Sequence, residues 1–171
     1  LESAGYVDTD GDGYVEKDGQ NISITIAYYK RLSQEAIATE LQSALKKIGI
    51  QSELQLHEGT KYLFNKEYDL GFYSMVTMPT GDPAYYLNAL LSEGGAVNYS
   101  GYDNHAIQVL LKQLNDSYDT KQRKEIVKQI EEMLLASYSI TYIGFNNLIF
   151  ATRKELKNFV PHVTDYYQIT V

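Results

Sequence analysis

Carboxylates at alternate positions followed by glycine can converge hard oxygen ligands on one cation, and Asp8-Thr-Asp-Gly-Asp-Gly13 has that arrangement. Counting from Asp8, the seventh-position carbonyl falls on Tyr14 and the ninth residue is Glu16. The twelfth is Gly19, where a calcium loop needs a bidentate Glu, and no helix pair flanks the segment. Asp8, Asp10 and Asp12 therefore stand as a calcium candidate. The favoured reading is a tight Asp/Gly turn whose side chains bond their own backbone, leading into a hairpin whose second strand starts at Asn21.

Other chemistry finds less support. His57, His105 and His162 are widely spaced, without a His-Glu-x-x-His pattern or a paired-carboxylate helix, so a catalytic zinc is not indicated. The chain has no cysteine, which removes thiolate nucleophiles, disulfides and Cys-ligated metal. There is no Gly-x-Ser-x-Gly elbow and no Gly-rich phosphate loop, and no cofactor is implied. Asp69 and Asp82 can be imagined as an acid/base pair, but one sits at a strand start and the other caps a helix. The chain therefore reads as a non-enzyme. What remains is Ser74-Met-Val-Thr-Met-Pro-Thr-Gly-Asp-Pro83, which leaves the end of an expected parallel strand, where open α/β sheets place ligand loops.

The elements that must position this loop are legible from periodicity. Ile22, Ile24, Ile26 and Tyr28 alternate with Ser23, Thr25 and Ala27 as a strand. With Ser33 as N-cap, Ile37, Leu41, Ala44, Leu45 and Ile48 form one helical stripe, stopped by Gly49. Residues 50–57 alternate again, so a β-α-β unit with a parallel strand pair is expected. A short helix over 60–66 and a third strand over 68–75 follow. Asp82 as N-cap and Pro83 as first helical residue then start a helix carrying Tyr86, Leu87, Leu90 and Leu91. After a Gly, Asn and Tyr-rich loop (94–104), helices carry Ile107, Leu110, Leu111 and Leu114, then Ile126, Val127, Ile130, Met133 and Leu134 over about 121–136. Residues 139–145 and 148–152 read as two further strands.

Composition bounds the function. Of 171 residues, 44% are apolar, enough for a full core, and the balance of 15 basic against 22 acidic side chains gives a net charge of −7. Such a chain offers no cationic field for a nucleic acid or an anionic membrane. No stretch approaches a bilayer span, and the start has neither an initiator Met nor a signal-peptide pattern, so an excised or processed piece is expected. Sixteen tyrosines without a tryptophan suit half-wet surfaces such as a cleft wall. No repeat or linker argues for a second domain over 1–171.

The ordered motifs resemble the extracellular solute-binding proteins of peptide and nickel ABC importers, family 5, with type II periplasmic-binding-protein architecture. The resemblance rests on Ala4 to Gly19, with its Asp-Gly run; Ala38-Thr-Glu-Leu-Gln-Ser-Ala-Leu-Lys-Lys-Ile-Gly-Ile50; Tyr68-Asp-Leu70; Gly81-Asp-Pro83; Tyr99-Ser-Gly-Tyr-Asp-Asn104; and Gln122-Arg123, Ile140-Thr-Tyr142 and Lys154-Glu-Leu156 in the closing part. The family implies an α/β fold: a single, C-terminal lobe with a mixed, mostly parallel sheet flanked by helices and an N-terminal β-hairpin. The chain would be the ligand-binding lobe of a larger two-lobe protein.

The resemblance also implies partners and contacts. They are a small solute (metal chelate or peptide), the missing N-terminal lobe and a membrane permease, with the full-length protein a cell-surface lipoprotein or periplasmic. Peptide binders carry an additional Asp just before Gly-Asp-Pro; here Met78, Pro79 and Thr80 stand there. The loop looks more like the nickel or metallophore branch, whose contact positions Val76, Thr80 and Thr164 match by placement. A metal-coordinating His of some nickel binders would fall near Gly94 to Ala96, where there is none, so a metal cargo would arrive already chelated. The expected ligand-binding residues are Val76, Thr77, Met78, Thr80, Tyr99, Tyr102 and Thr164. The alternative function is a calcium-stabilised extracellular adhesion or scaffold module centred on Asp8, Asp10 and Asp12.

Overall fold

The computed structural model describes residues 1–160 except 32, 80, 148 and 157. Thr80, His162 and Thr164 therefore lie outside the described residues. The chain divides into two compact units, Leu1–Met75 and the remainder from Val76.

The first unit is built on a parallel sheet. After a 3-10 turn (Glu2–Ala4), β1 (Glu16–Lys17) and β2 (Gln20–Asn21) form a two-residue hairpin. Its turn, Asp18-Gly19, has φ of 55° and 77°, the left-handed pair that suits the twist of short hairpins. The hairpin thus turns ten residues after Asp8, and its second strand begins one residue earlier than the sequence implied. β3 (Ser23–Tyr29), α1 (Gln34–Lys47) and β4 (Gln51–His57) make the expected β-α-β unit, with Ile26 opposite Leu54. After α2 (Tyr62–Asn65), β5 (Leu70–Gly71) pairs with the other edge of β3, giving the order β4-β3-β5.

As central strand, β3 is buried on both faces from Ile26 to Tyr29. Leu41, Leu45, Leu54 and Phe72 pack around Ile26, Tyr28 and Ala38. Helix α1 ends as expected: the N–H of Ile50 donates to the Leu45 carbonyl and that of Gly49 to Lys46, both at 3.0 Å, with Gly49 at φ +79°. Its stripe is narrower than the sequence suggests. Ile48, at the C-cap, is 53% exposed and Ala44 faces solvent.

Ser33 sits at the start of α1 but makes no side-chain cap; its φ of 69° does not bring its hydroxyl to the helix N–H groups. Gln34 instead ties the helix start to the sheet. Its Oε1 accepts the Tyr29 N–H (3.2 Å) and its Nε2 donates to Ser74 Oγ (3.2 Å). The third strand is far shorter than 68–75, because only Leu70 and Gly71 find ladder partners on β3.

The second unit is helical where it is regular. α3 (Ala84–Leu91), α4 (His105–Asp116) and α5 (Thr120–Ser137) pack with α4 against both neighbours. Tyr86, Leu87, Leu90, Leu91, Ile107, Leu111, Leu114, Ile126, Ile130 and Leu134 are buried, at about 1.5–3 kcal/mol for each fully buried Leu or Ile. Asn104 caps α4 by accepting the Ala106 and Ile107 N–H groups, and Asp119 caps α5 through the Gln122 N–H at 2.7 Å. Pro83, expected as the first helical residue of α3, takes the N-cap place.

The two strands expected over 139–145 and 148–152 are not found: among the described residues, 140–153 contain no helix or strand. Alternation alone does not make a strand without an edge to pair with. Phe145 and Ile149 are 81% and 91% exposed. No helix among the described residues is long and apolar enough to cross a membrane.

Candidate functional site

Val76, Thr77 and Met78 lie in the segment leading to α3. Val76 and Thr77 are half-buried and Met78 is exposed. The segment bends back where the Gly81 N–H donates to the Met78 carbonyl at 3.1 Å. Its side chains offer methyls, a thioether and a hydroxyl, and no carboxylate or imidazole.

Asp82 fixes the far end of this segment. Its Oδ1 accepts the Ala84 N–H (2.8 Å), and both its oxygens accept from the Arg123 guanidinium, from Nη2 at 2.6 and 2.7 Å and from Nε at 3.1 Å. Through Nη1, Arg123 also donates to the carbonyls of Leu114 and Ser117 at the end of α4. Helix C-terminal carbonyls lack partners of their own and carry the negative end of the helix dipole, so a guanidinium belongs there. One α5 side chain thus ties the start of α3 to the end of α4. The Ala84 amide, and then the Arg123 guanidinium, hold the Asp82 carboxyl below the usual carboxylate range against the opposing effect of burial.

Tyr99 and Tyr102 belong to the loop that folds over the other end of α3. The Val97 N–H donates to the Ala89 carbonyl (3.0 Å) and the Tyr99 N–H to Val97 (2.8 Å). Asn98 Nδ2 donates to the Tyr102 carbonyl at 2.9 Å, and Asn104 Nδ2 donates to the Tyr102 hydroxyl at 3.2 Å. Tyr102 is therefore held at both its backbone and its phenol. The described members of the expected site divide between the two ends of a helix about 12 Å long.

Within the stretch from Gly94 to Ala96, the two glycines leave no place for a metal-ligating side chain of their own. A Cβ at Gly95 would lie 2.5 Å from the Ala89 carbonyl oxygen and 2.9 Å from that of Asn88, and Gly94 has a φ of +68°. On this backbone a histidine at either place meets a clash or strain.

The acid/base idea loses its carboxylates to structure. Asp69 Oδ2 accepts the Thr25 N–H at 2.7 Å at the entry to β5, and Asp82 is held by Arg123 and α3. Tyr86 and Tyr142 share a hydroxyl hydrogen bond of 2.7 Å, and burial is the first cause pushing both phenols up. A shallow hollow of about 420 Å³ beside His57, Glu58, Gly59, Lys61 and Tyr62 takes in none of the expected site residues. There the His57 ring stacks on Tyr62 with centroids 4.4 Å apart.

Sequence reasoning missed Gln34 and the reach of Arg123. The only signal for the latter was the pair of motifs Gly81-Asp-Pro83 and Gln122-Arg123, which the fold joins.

Comparison with known proteins follows the same line. Residues 1–98 match the family described as bacterial extracellular solute-binding proteins, family 5 Middle. The chain is 31% identical over 150 residues to the nickel-binding protein NikA of Staphylococcus aureus, covering 86% of this chain and 30% of NikA. A crystal structure of that NikA in complex with Ni(L-His)2 superposes with a TM-score of 0.61 at 30% identity, covering 69% of this chain and 26% of that one. The oligopeptide-binding protein AppA of Bacillus subtilis is 28% identical over 179 residues, 99% of this chain and 32% of AppA. A nickel ABC transporter structure from Bacillus halodurans gives a TM-score of 0.71 at 31% identity, over 81% of this chain and 29% of that one. The chain thus spans about a third of the length of the curated relatives it matches. These relatives are binding proteins, and none points to an adhesion or scaffold module, so that alternative is dropped.

Proposed function

We propose, since the chain belongs to family 5 of the bacterial extracellular solute-binding proteins, that it serves in solute capture for an ABC importer and makes or breaks no covalent bond. Residues 1–171 would form part of one ligand-binding lobe of a two-lobe protein held outside the cytoplasm, as a cell-surface lipoprotein or in a periplasm. The partners are then a second lobe and a membrane permease. Capture in such a protein is a population shift: solute stabilises the closed state through contacts available only there.

The cargo we favour is a nickel chelate. What carries this reading is the chemistry of the 76–79 segment, together with the likeness to nickel-binding relatives. Val76, Thr77 and Met78 present no charge to a peptide's terminal ammonium and no imidazole to a bare metal ion. With Gly95 closing off a nearby histidine, the metal would come with its own organic ligands, and the protein would read the shape and charge of the complex. Thr80, Tyr99, Tyr102 and Thr164 complete the proposed contact set. An oligopeptide is the second reading, favoured by the match to AppA across 99% of the chain.

Native purification of the full-length protein, followed by metal analysis and mass spectrometry of the released solute, separates the two. Nickel with a small organic ligand supports the first reading. Peptides without nickel establish the second, and neither kind of solute removes the capture function.

A further inference from the structure

The Asp8 to Gly13 run has a fourth member that its spacing concealed. The chain returns on itself through paired backbone bonds between Val7 and Glu16 (3.1 and 3.0 Å), which bring the Glu16 carboxylate back onto the loop. One carboxylate oxygen from each of Asp8, Asp10, Asp12 and Glu16 then lies within 4.8 Å of the others. Ligands 2.3–2.6 Å from a shared calcium ion stand at most about 5 Å apart, so the four meet the condition for one ion.

The independent observation is the state of Glu16 itself. It is only 6% exposed, and while its Oε2 accepts from the N–H and hydroxyl of Thr9 (2.7 and 2.6 Å), its Oε1 is buried with no partner. No ion pair among the described residues reaches any of the four carboxylates. The adjacent Lys17 ammonium lies over the Tyr6 ring instead, 4.6 Å from its centroid. A buried carboxylate oxygen without a donor, beside three like charges, is costly in two ways that a divalent cation would relieve together.

We infer that Asp8, Asp10, Asp12 and Glu16 bind a calcium ion that fastens the N-terminal segment to the rest of the first unit. The donor set is all oxygen and strongly anionic, which suits a hard cation. A loop origin suits calcium over magnesium, which demands near-octahedral ligands and keeps its waters. Glu16 takes, from the ninth position, the part that the absent Glu at the twelfth would have played. The ion's effect would pass to the β-α-β unit, because the neighbouring Val15 N–H donates to the Gly49 carbonyl at the end of α1 (2.8 Å) and the Val15 carbonyl accepts the N–H of Ile22, the residue before β3 (3.0 Å).

The site is independent of the solute-capture reading and its test uses no nickel. The chain is melted in chelator and in calcium up to about 10 mM, ten times the weakest affinity of extracellular calcium modules. Tyrosine-sensitised terbium luminescence is recorded alongside. The expected results are a rise in Tm of about 5–10 °C once calcium is near 100 times Kd, and a saturable terbium signal displaced by calcium. Asp10→Lys, which sets a cation among the remaining carboxylates at an exposed place, should lose both responses while remaining folded in chelator. Glu16→Gln should also lose the terbium signal. Absence of both responses in the native chain, or their survival in Asp10→Lys, overturns the site.

Discussion

Removing the Arg123 guanidinium should loosen the helical unit by a calculable amount. In Arg123→Ala, Asp82 loses its charge-assisted partner, and the carbonyls of Leu114 and Ser117 lose a donor. The Asp82 side chain is 42% exposed, so water replaces much of what the ion pair supplied, and that part is worth about 1 kcal/mol after screening. The guanidinium is 19% exposed, and its two carbonyl bonds add about 1 kcal/mol each. The sum of about 3 kcal/mol corresponds to a fall in Tm of about 6–12 °C for a chain of this size.

The pH dependence sharpens this prediction. Asp82 is held below its ordinary value, so its contribution is present above the unfolded carboxylate range and is lost as pH falls through the lowered folded value. The gap between native and variant proteins should therefore be full at neutral pH and narrow in acid. It should not close, because the carbonyl bonds do not titrate. Urea melts of both proteins across that range check it. A variant within about 0.5 kcal/mol of native at neutral pH, the ordinary scatter of surface substitutions, would refute the reasoning.

Other perturbations follow from the same geometry. Gly95→Ala forces a Cβ onto the Ala89 carbonyl and should cost about 1–3 kcal/mol in a denaturant melt. Gln34→Ala leaves the Tyr29 N–H at the sheet end without its acceptor and should lower stability by about 1–3 kcal/mol, with increased amide exchange at Tyr29 as the local readout. The buried Tyr86 phenol is pushed up, so the folded state holds its proton where the unfolded chain releases it. Stability should fall as pH rises above about 10, and Tyr86→Phe should flatten that fall.

The β-α-β unit, the Gly49 stop and the three amphipathic helices were legible because each is a local pattern: alternation, a 3.6-residue stripe, a cap. Failures came where a distant partner decides. Residues 139–145 read as a strand and find no edge. Leu70 and Gly71 pair with β3 and the Phe72 N–H still donates to the Ala27 carbonyl at 2.9 Å, after which no ladder is formed. Ser33 has the right side chain for a cap and the wrong φ, and Gln34 next to it carries the bond instead. In the site, the 76–81 segment could be chosen from its position after a strand. Its fastening by Arg123, 41 residues from Asp82, is a tertiary fact that no spacing rule reaches. Glu16 shows the same limit in small. Its role depends on a backbone return that places the ninth residue of the loop beside the first.

Calorimetric titration of Ni(L-His)2 into the full-length protein, its Met78→Asp variant and the 171-residue chain alone tests the capture proposal most directly. The account predicts tight binding by the full-length protein, at least about tenfold weaker binding by the variant, and no measurable heat from the single chain, which holds only part of the contacts. Full affinity in the isolated chain, or a full-length protein indifferent to the Met78 substitution, would contradict it.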